Sequence, residues 1–192
     1  MPRKKSRRLA RRNIHTADAF VEPSLSEDEA MERIDNLEVP FLLLLDGVQD
    51  PHNLGACLRS ADAAGVHLVL APKDHTVGLT ETARRISCGG ADNVPYVRVA
   101  NLGRTMDRLR EMGVRIVGTG DRQSRLLYEE TYRGPLALVM GGEAEGIRRK
   151  TANKCDALVR IPMAGTVDCL NLSVATGVCL FEALRQRLSG IH

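Results

Sequence analysis

Three polar, glycine-punctuated segments hold most of the residues in this chain whose types and spacing suit chemistry. They read DGVQDPHNLGACLRSADAAG (Asp46 to Gly65), VMGGEAEGIRR (Val139 to Arg149) and IPMAGTVDCLNLSVATG (Ile161 to Gly177). Each begins where an apolar run ends and finishes in, or just before, a helical pattern. In an open parallel sheet, ligands bind beyond the carboxyl ends of the strands. Three such loops converging there imply one composite site.

The nucleotide motifs can be tested against these loops. Gly118-Thr119-Gly120 opens like a dinucleotide fingerprint, but Gln123 stands where the third glycine belongs and no helical pattern begins there. A nicotinamide oxidoreductase would rest on that incomplete pattern alone. The loop from Gly141 to Gly146 has glycines at its ends, yet Ile147 takes the position of a P-loop lysine. Glu143 and Glu145 inside it would also repel phosphate, so the loop suits a cationic or neutral ligand and points away from kinase or ATPase chemistry. An adenosine carrying a positive sulfonium fits such walls. Backbone groups would read the adenine edge, Ile161, Met163 and Leu170 would sandwich it, and a carboxylate would favour the cation. Sequence physics permits this ligand without compelling it.

No metal site is expected. The five cysteines (Cys57, Cys88, Cys155, Cys169, Cys179) form no CxxC pair and have no paired histidine nearby, which also argues against a secreted disulfide framework. Cys57 and Cys179 sit in apolar helical patterns and read as small buried hydrophobes. His52 and His67 lack an evident triad partner and read as structural.

The elements that must position these residues alternate regularly from Phe41 onward. FLLLLD (Phe41 to Asp46) is a continuous apolar run, the mark of a buried parallel strand. Asn53 is a candidate cap for a helix through Arg59 and Ala63 that Gly65 closes. Further strands are predicted at His67 to Leu70, Tyr96 to Val99, Arg115 to Gly118, Pro135 to Met140 and Leu158 to Ile161. Helices are predicted from Thr80 to about Ser87, over Leu102 to Met112 with Asn101 as cap, from Gly146 to about Lys154, and from Leu170 to about Leu188. The last places Val174, Val178, Phe181 and Leu184 along one face. This alternation means an α/β fold, a mainly parallel sheet flanked by helices, Rossmann-like in outline. Upstream, Ser26 followed by Glu29 has the form of a capping box for a short helix to Leu37.

A chain of 192 residues suits one well-buried domain plus a tail. Aromatics make up 3% with no Trp, so a base-stacking platform for single strands is excluded. Charge is unevenly spread: Arg3 to Arg12 carries seven Lys or Arg and no acid, while Glu22 to Glu38 carries seven acids against Arg33. The basic arm reads either as a solvated terminus or as a contact to nucleic-acid phosphates. It lacks the apolar core of a targeting peptide, and no stretch is long and apolar enough to span a bilayer. A soluble, cytoplasmic protein is expected, with residues 1–39 an arm and acidic linker and residues 40–192 the catalytic domain.

Taken together, the three segments resemble the trefoil-knotted (SPOUT-class) RNA 2'-O-ribose methyltransferases. Asn53-Leu54-Gly55 followed by Arg59 looks like the first motif, Met140 to Gly146 like the second, and Ile161-Pro162 through Leu170-Asn171-Leu172-Ser173-Val174-Ala175 like the third. Within the class, DPHNLGACLRSADAAGVH and LSVATGVCLFEALRQR are most similar to the bacterial enzymes that methylate a guanosine ribose in large-subunit ribosomal RNA. The resemblance spans about Pro40 to Arg187. It implies a deep C-terminal trefoil knot, S-adenosylmethionine bound within it, and a homodimer whose active site uses both subunits. Met140, Gly141, Ile161, Met163 and Leu170 match cofactor positions, and Thr119-Gly120 lies where another cofactor-side loop is expected. Asn53, Arg59, Glu143 and Asn171 match the polar catalytic positions. One residue departs from the pattern: Cys169 stands where family members commonly carry Ser, and a thiol is a poor hydrogen-bond partner.

Methyl transfer to a ribose 2'-oxygen requires the hydroxyl to lose its proton as it attacks. The family assigns the base to the arginine matched by Arg59, but a guanidinium is effectively always protonated. Arg59 is better suited to clamp the target phosphate, with Glu143 or water accepting the proton. Transfer RNA is the alternative substrate to ribosomal RNA. A catalytically silent RNA-binding protein of the same fold is the rival reading, with Cys169 as its symptom.

Overall fold

The computed structural model describes residues 25–120, 124–142 and 146–189. The basic arm, Gln123, Glu143 and Glu145 lie outside them. Seven strands form one sheet in which every pairing is parallel. In chain order they are β1 (Phe41–Asp46), β2 (Leu68–Pro72), β3 (Tyr96–Val99), β4 (Arg115–Thr119), β5 (Arg125–Leu126), β6 (Leu136–Gly141) and β7 (Ala157–Arg160). Their spatial order is β3-β2-β1-β6-β4-β7-β5. The chain steps outward from β1 to β3, crosses to β4, and later inserts β6 between β1 and β4. The ends of β4, β6 and β7 are thereby brought side by side.

The helices are α1 (Glu27–Asp35), α2 (Pro51–Ala63), α3 (Glu81–Ile86), α4 (Gly90–Asn93), α5 (Leu102–Glu111), α6 (Arg149–Ala152) and α7 (Leu172–Leu188). They cover both faces of the sheet, which is why β1 is apolar throughout instead of alternating. Phe41, Leu43 and Leu45 face a core shared with Leu54, Cys57, Leu58 and Ala61 of α2 and Cys179, Leu180 and Ala183 of α7. Leu42 and Leu44 face the other core, with Ala30, Met31 and Ile34 of α1 and Leu102, Met106 and Leu109 of α5. Each such fully buried leucine contributes roughly 1.5–3 kcal/mol.

Several local signals act as the residues suggest. Ser26 and Glu29 form the expected capping box. Glu27 then ties α1 to the start of α5, accepting from the Ala100 N–H and the Thr105 hydroxyl at 3.0 Å each. Thr80 caps α3 and Asn101 caps α5 through their side-chain oxygens. Three expectations are corrected. Asp50, not Asn53, caps α2, because Pro51 tolerates the first helical position, where no N–H partner is lost. The helix expected from Gly146 to Lys154 is shortened to Arg149–Ala152, since Gly146 has φ +65° and Arg148 is extended. The residues expected along one face of α7 do not share one environment: Val174 and Phe181 are 52% and 50% exposed, while Val178 packs against the core that Cys179, Leu180 and Ala183 fill.

Candidate functional site

A cavity of about 750 Å³ opens beyond the ends of β4, β6 and β7, within the range that holds a nucleoside-sized ligand. Thr119 and Gly120 line it from the end of β4, Met140 and Gly141 from the end of β6, and Ile161 from just past β7. Met163 and Leu170 close it from the loop that leads to α7. All seven residues singled out for a cofactor thus meet in one place. Asp168 and Cys169 also line it, so the departure at Cys169 lies on the cavity wall.

Part of that wall is backbone. A Cβ on Gly141 would lie 1.9 Å from the carbonyl carbon of Gly146 and 2.0 Å from the Ile147 nitrogen. No side chain fits there. A Cβ on Gly142 would likewise lie 2.4 Å from the Gly47 carbonyl oxygen. The second loop therefore doubles back on itself, with the Gly146 N–H donating to the Gly142 carbonyl at 3.0 Å, and is held against the first loop.

Asn171 joins the cavity to α2. Its Oδ1 caps α7, accepting from the Ser173 N–H at 2.9 Å and the Val174 N–H at 3.4 Å. Its Nδ2 donates to Asn53 Oδ1 at 3.1 Å, while its neighbours Leu170 and Leu172 line the cavity. Placing the cap at Asp50 leaves Asn53 inside the first turn of α2, 8% exposed and able to meet Asn171. One turn further on, Cys57 and Thr176 meet at 3.5 Å between the same two helices.

Arg59 is not brought to this group within one chain. Six residues beyond Asn53, it faces a different side of α2; its side chain is exposed, with Nη1 3.5 Å from Cys88 Sγ. Glu143 lies outside the described residues.

Two residues at the site escaped the sequence reading. Asp46 ends β1 with a fully buried carboxylate, paired with Arg148 beyond the glycine loop. The available signal was a carboxylate closing an otherwise apolar strand. Burial pushes the Cys179 thiol up to about 12, and burial reinforced by Asp156 does the same for Cys155. His67 Nδ1 accepts the Phe41 N–H at 2.9 Å, which makes the ring part of the β1 scaffold. His52 contacts Asp50 at 3.2 Å at the exposed start of α2.

Comparison with known proteins follows this geometry. Residues 40–181 match the SpoU rRNA Methylase family. The chain belongs to that family. It is 58% identical over 161 residues to the 23S rRNA (guanosine-2'-O-)-methyltransferase RlmB of Escherichia coli K12, an alignment that covers 84% of this chain and 66% of that protein. The chain thus spans just under two thirds of that relative. The SpoU methyltransferase AviRb of Streptomyces viridochromogenes, solved in complex with the cofactor AdoMet, superposes with a TM-score of 0.76 at 32% identity, over 83% of this chain and 65% of that one. The TrmH/SpoU tRNA modifying enzyme of A. aeolicus superposes with a TM-score of 0.70 at 30% identity, over 85% of both. The SpoU match covers β1 through most of α7, and with them every strand and the cavity.

Proposed function

We propose that this SpoU-family chain methylates a ribose 2'-hydroxyl in RNA with S-adenosylmethionine, and that its target is a guanosine of 23S ribosomal RNA. The observation that carries this reading is the single cavity in which Thr119, Gly120, Met140, Gly141, Ile161, Met163 and Leu170 meet. Its backbone wall at Gly141 and Gly142 packs against other main chain too closely for any Cβ, and its apolar lining suits an adenine ring. When bound, the cofactor supplies an electrophilic methyl group on a positive sulfonium. Asn53 and Asn171 orient polar groups beside it, and Arg59 holds an RNA phosphate. Glu143 or water takes the proton from the hydroxyl. RlmB of E. coli, whose name gives the guanosine and the 23S RNA, supports the substrate.

A second copy of the chain completes the site in this reading. Val174, Phe181 and Leu188, with half-buried Val178 between them, form an apolar stripe down α7; Phe181 is 50% and Leu188 56% exposed. Such a stripe marks a partner surface. Arg59, which does not line the cavity of its own chain, would reach that of the partner. The resemblance also implies a deep C-terminal knot. The segment before β6 is tied across α7, with the Tyr132 N–H donating to Gln186 Oε1 at 3.1 Å and Gln186 Nε2 to the Glu130 carbonyl at 2.9 Å. Residues 40–192 then form the catalytic domain, on which α1 of the acidic segment packs through Ala30, Met31 and Ile34, and the cytoplasm is its place of work. Among the described residues no helix is long and apolar enough to cross a membrane.

Two measurements test the reading. Isothermal titration with S-adenosylmethionine gives saturable binding, and its absence would favour the silent RNA-binding rival. Mapping ribose methylation across total RNA after deleting the gene shows loss at a 23S guanosine; loss in transfer RNA alone would redirect the substrate. Undiminished turnover of Glu143→Gln would leave the proton to water.

A further inference from the structure

Asp46 and Arg148 have no role in the chemistry proposed above, yet they frame the loop that walls the cavity. Asp46 is paired in register with Gly141 across β1 and β6. Its carbonyl accepts the Gly142 N–H at 2.9 Å, at the loop's entrance. Its carboxylate accepts the Arg148 N–H at 3.1 Å and Nε–H at 2.8 Å, at the loop's exit, with Nη2 on the same oxygen as Nε. One residue therefore grips both ends of the glycine loop.

The Asp46 carboxylate is completely buried, whereas the Arg148 side chain is 37% exposed. Burying a carboxylate is costly unless it is paired and hydrogen-bonded, and an apolar residue would end β1 at lower cost. What the pair adds is direction: a planar fork on one carboxylate, plus a backbone N–H on its other oxygen, sets where residue 148 must lie. The loop has glycine at both ends, and Gly146 sits at φ +65°. Glycine at these two ends imposes no backbone angle of its own, so an outside contact must fix where they lie.

We propose that Asp46 and Arg148 are positioning residues, a clamp that holds the two ends of the glycine loop, at Gly142 and at Gly146 to Arg148, where they wall the cofactor cavity. The proposal rests on reading the cavity as the cofactor site. Three variants of the full chain test it: Arg148→Gln, Arg148→Lys and Asp46→Asn. Titration with S-adenosylmethionine, the thermal midpoint, and hydrogen exchange of residues 141–148 are measured for each.

A clamp predicts that Arg148→Gln and Asp46→Asn weaken cofactor binding about 10- to 100-fold, as misplaced contacts do. Exchange speeds up in the loop while β1 and α2 keep their protection. Arg148→Lys keeps the charge but lacks the fork, so it regains the thermal midpoint and not the affinity. A merely stabilising pair would move the midpoint and leave the affinity of the folded protein alone. Folded Arg148→Gln binding within about twofold of the unaltered chain, or loop exchange unchanged in all three variants, overturns the proposal. If Arg148→Gln does not fold, full affinity in Arg148→Lys overturns it instead. If the unaltered chain binds no S-adenosylmethionine, the cofactor reading fails by itself; faster loop exchange in the variants still supports the clamp, and unchanged exchange overturns it.

Discussion

The cavity beyond β4, β6 and β7 is walled in part by backbone, whereas the outer face of α7 is open and made of side chains. In the cavity wall, Gly141 and Gly142 approach other main-chain atoms so closely that no Cβ is tolerated. On α7, Val174, Phe181 and Leu188 stand half exposed among the described residues. The first region is walled by its own main chain, and the second is exposed side chain. Where backbone makes the wall, the ligand's shape is set by the chain's own register. Where side chains make the surface, what covers them decides the assembly.

The sharpest way to break the cavity side is Gly141→Ala. Its Cβ would collide with backbone, and backbone cannot swing aside as a side chain does, so binding of S-adenosylmethionine should fall at least about 100-fold. Titration calorimetry reads this directly. Near-normal affinity would mean that the wall is softer than its geometry.

Phe181→Asp attacks the open side. The chain should sediment as a monomer and lose RNA methylation about 100-fold, while cofactor binding stays nearly intact. A folded dimer in this variant would remove the α7 stripe as the interface. Mixing Arg59→Ala with Asn171→Ala chains sharpens the same point, because partial recovery of activity requires the two residues to act across subunits.

Asn171→Ala tests the joint between the regions. It removes both the α7 cap and the bond to Asn53, so the thermal midpoint should correspond to a loss of about 1–2 kcal/mol. Methyl transfer should fall further than that stability loss explains. Equal loss from Asn171→Ser, which keeps a cap, would assign the effect to the Asn53 contact.

The smallest effect belongs to His67, remote from both regions. Burial, with Arg187 and Arg33 adding to it, lowers its pKa below the ordinary histidine range. The unfolded chain then binds more protons than the folded one as pH falls toward and below about 6.5. Stability present at pH 7 is therefore lost on acidification, by less than about 1 kcal/mol for so partly buried a ring. Urea unfolding between pH 7 and 5 should show this slope, and His67→Gln should flatten it without changing cofactor binding.

Much of the scaffold was legible because its signals are local. Ser26 with Glu29, Thr80 and Asn101 each cap the helix that follows them, and FLLLLD makes a fully buried strand. The misreadings share one cause. Asn53 is a good cap by type, but Asp50-Pro51 is a better helix start three residues earlier, and that choice turned Asn53 toward Asn171. The stripe on α7 has the period of a buried face, and periodicity cannot say whether its own core or another molecule does the burying. Asp46 looked like the end of a strand; its partner Arg148 lies 102 residues away.

By itself, then, the sequence determined most of the strands and helices, though not β5 or α4, and the seven residues that gather at the cavity. These depend on propensities, caps and patterns spanning a few residues, and on three motifs whose order survives any folding. Tertiary structure decided which asparagine caps and which one pairs, which arginine is clamped to a buried carboxylate and which stays exposed, and which face of α7 is left open. Those outcomes turn on strand order and helix packing across a hundred residues, where identical side chains acquire different partners.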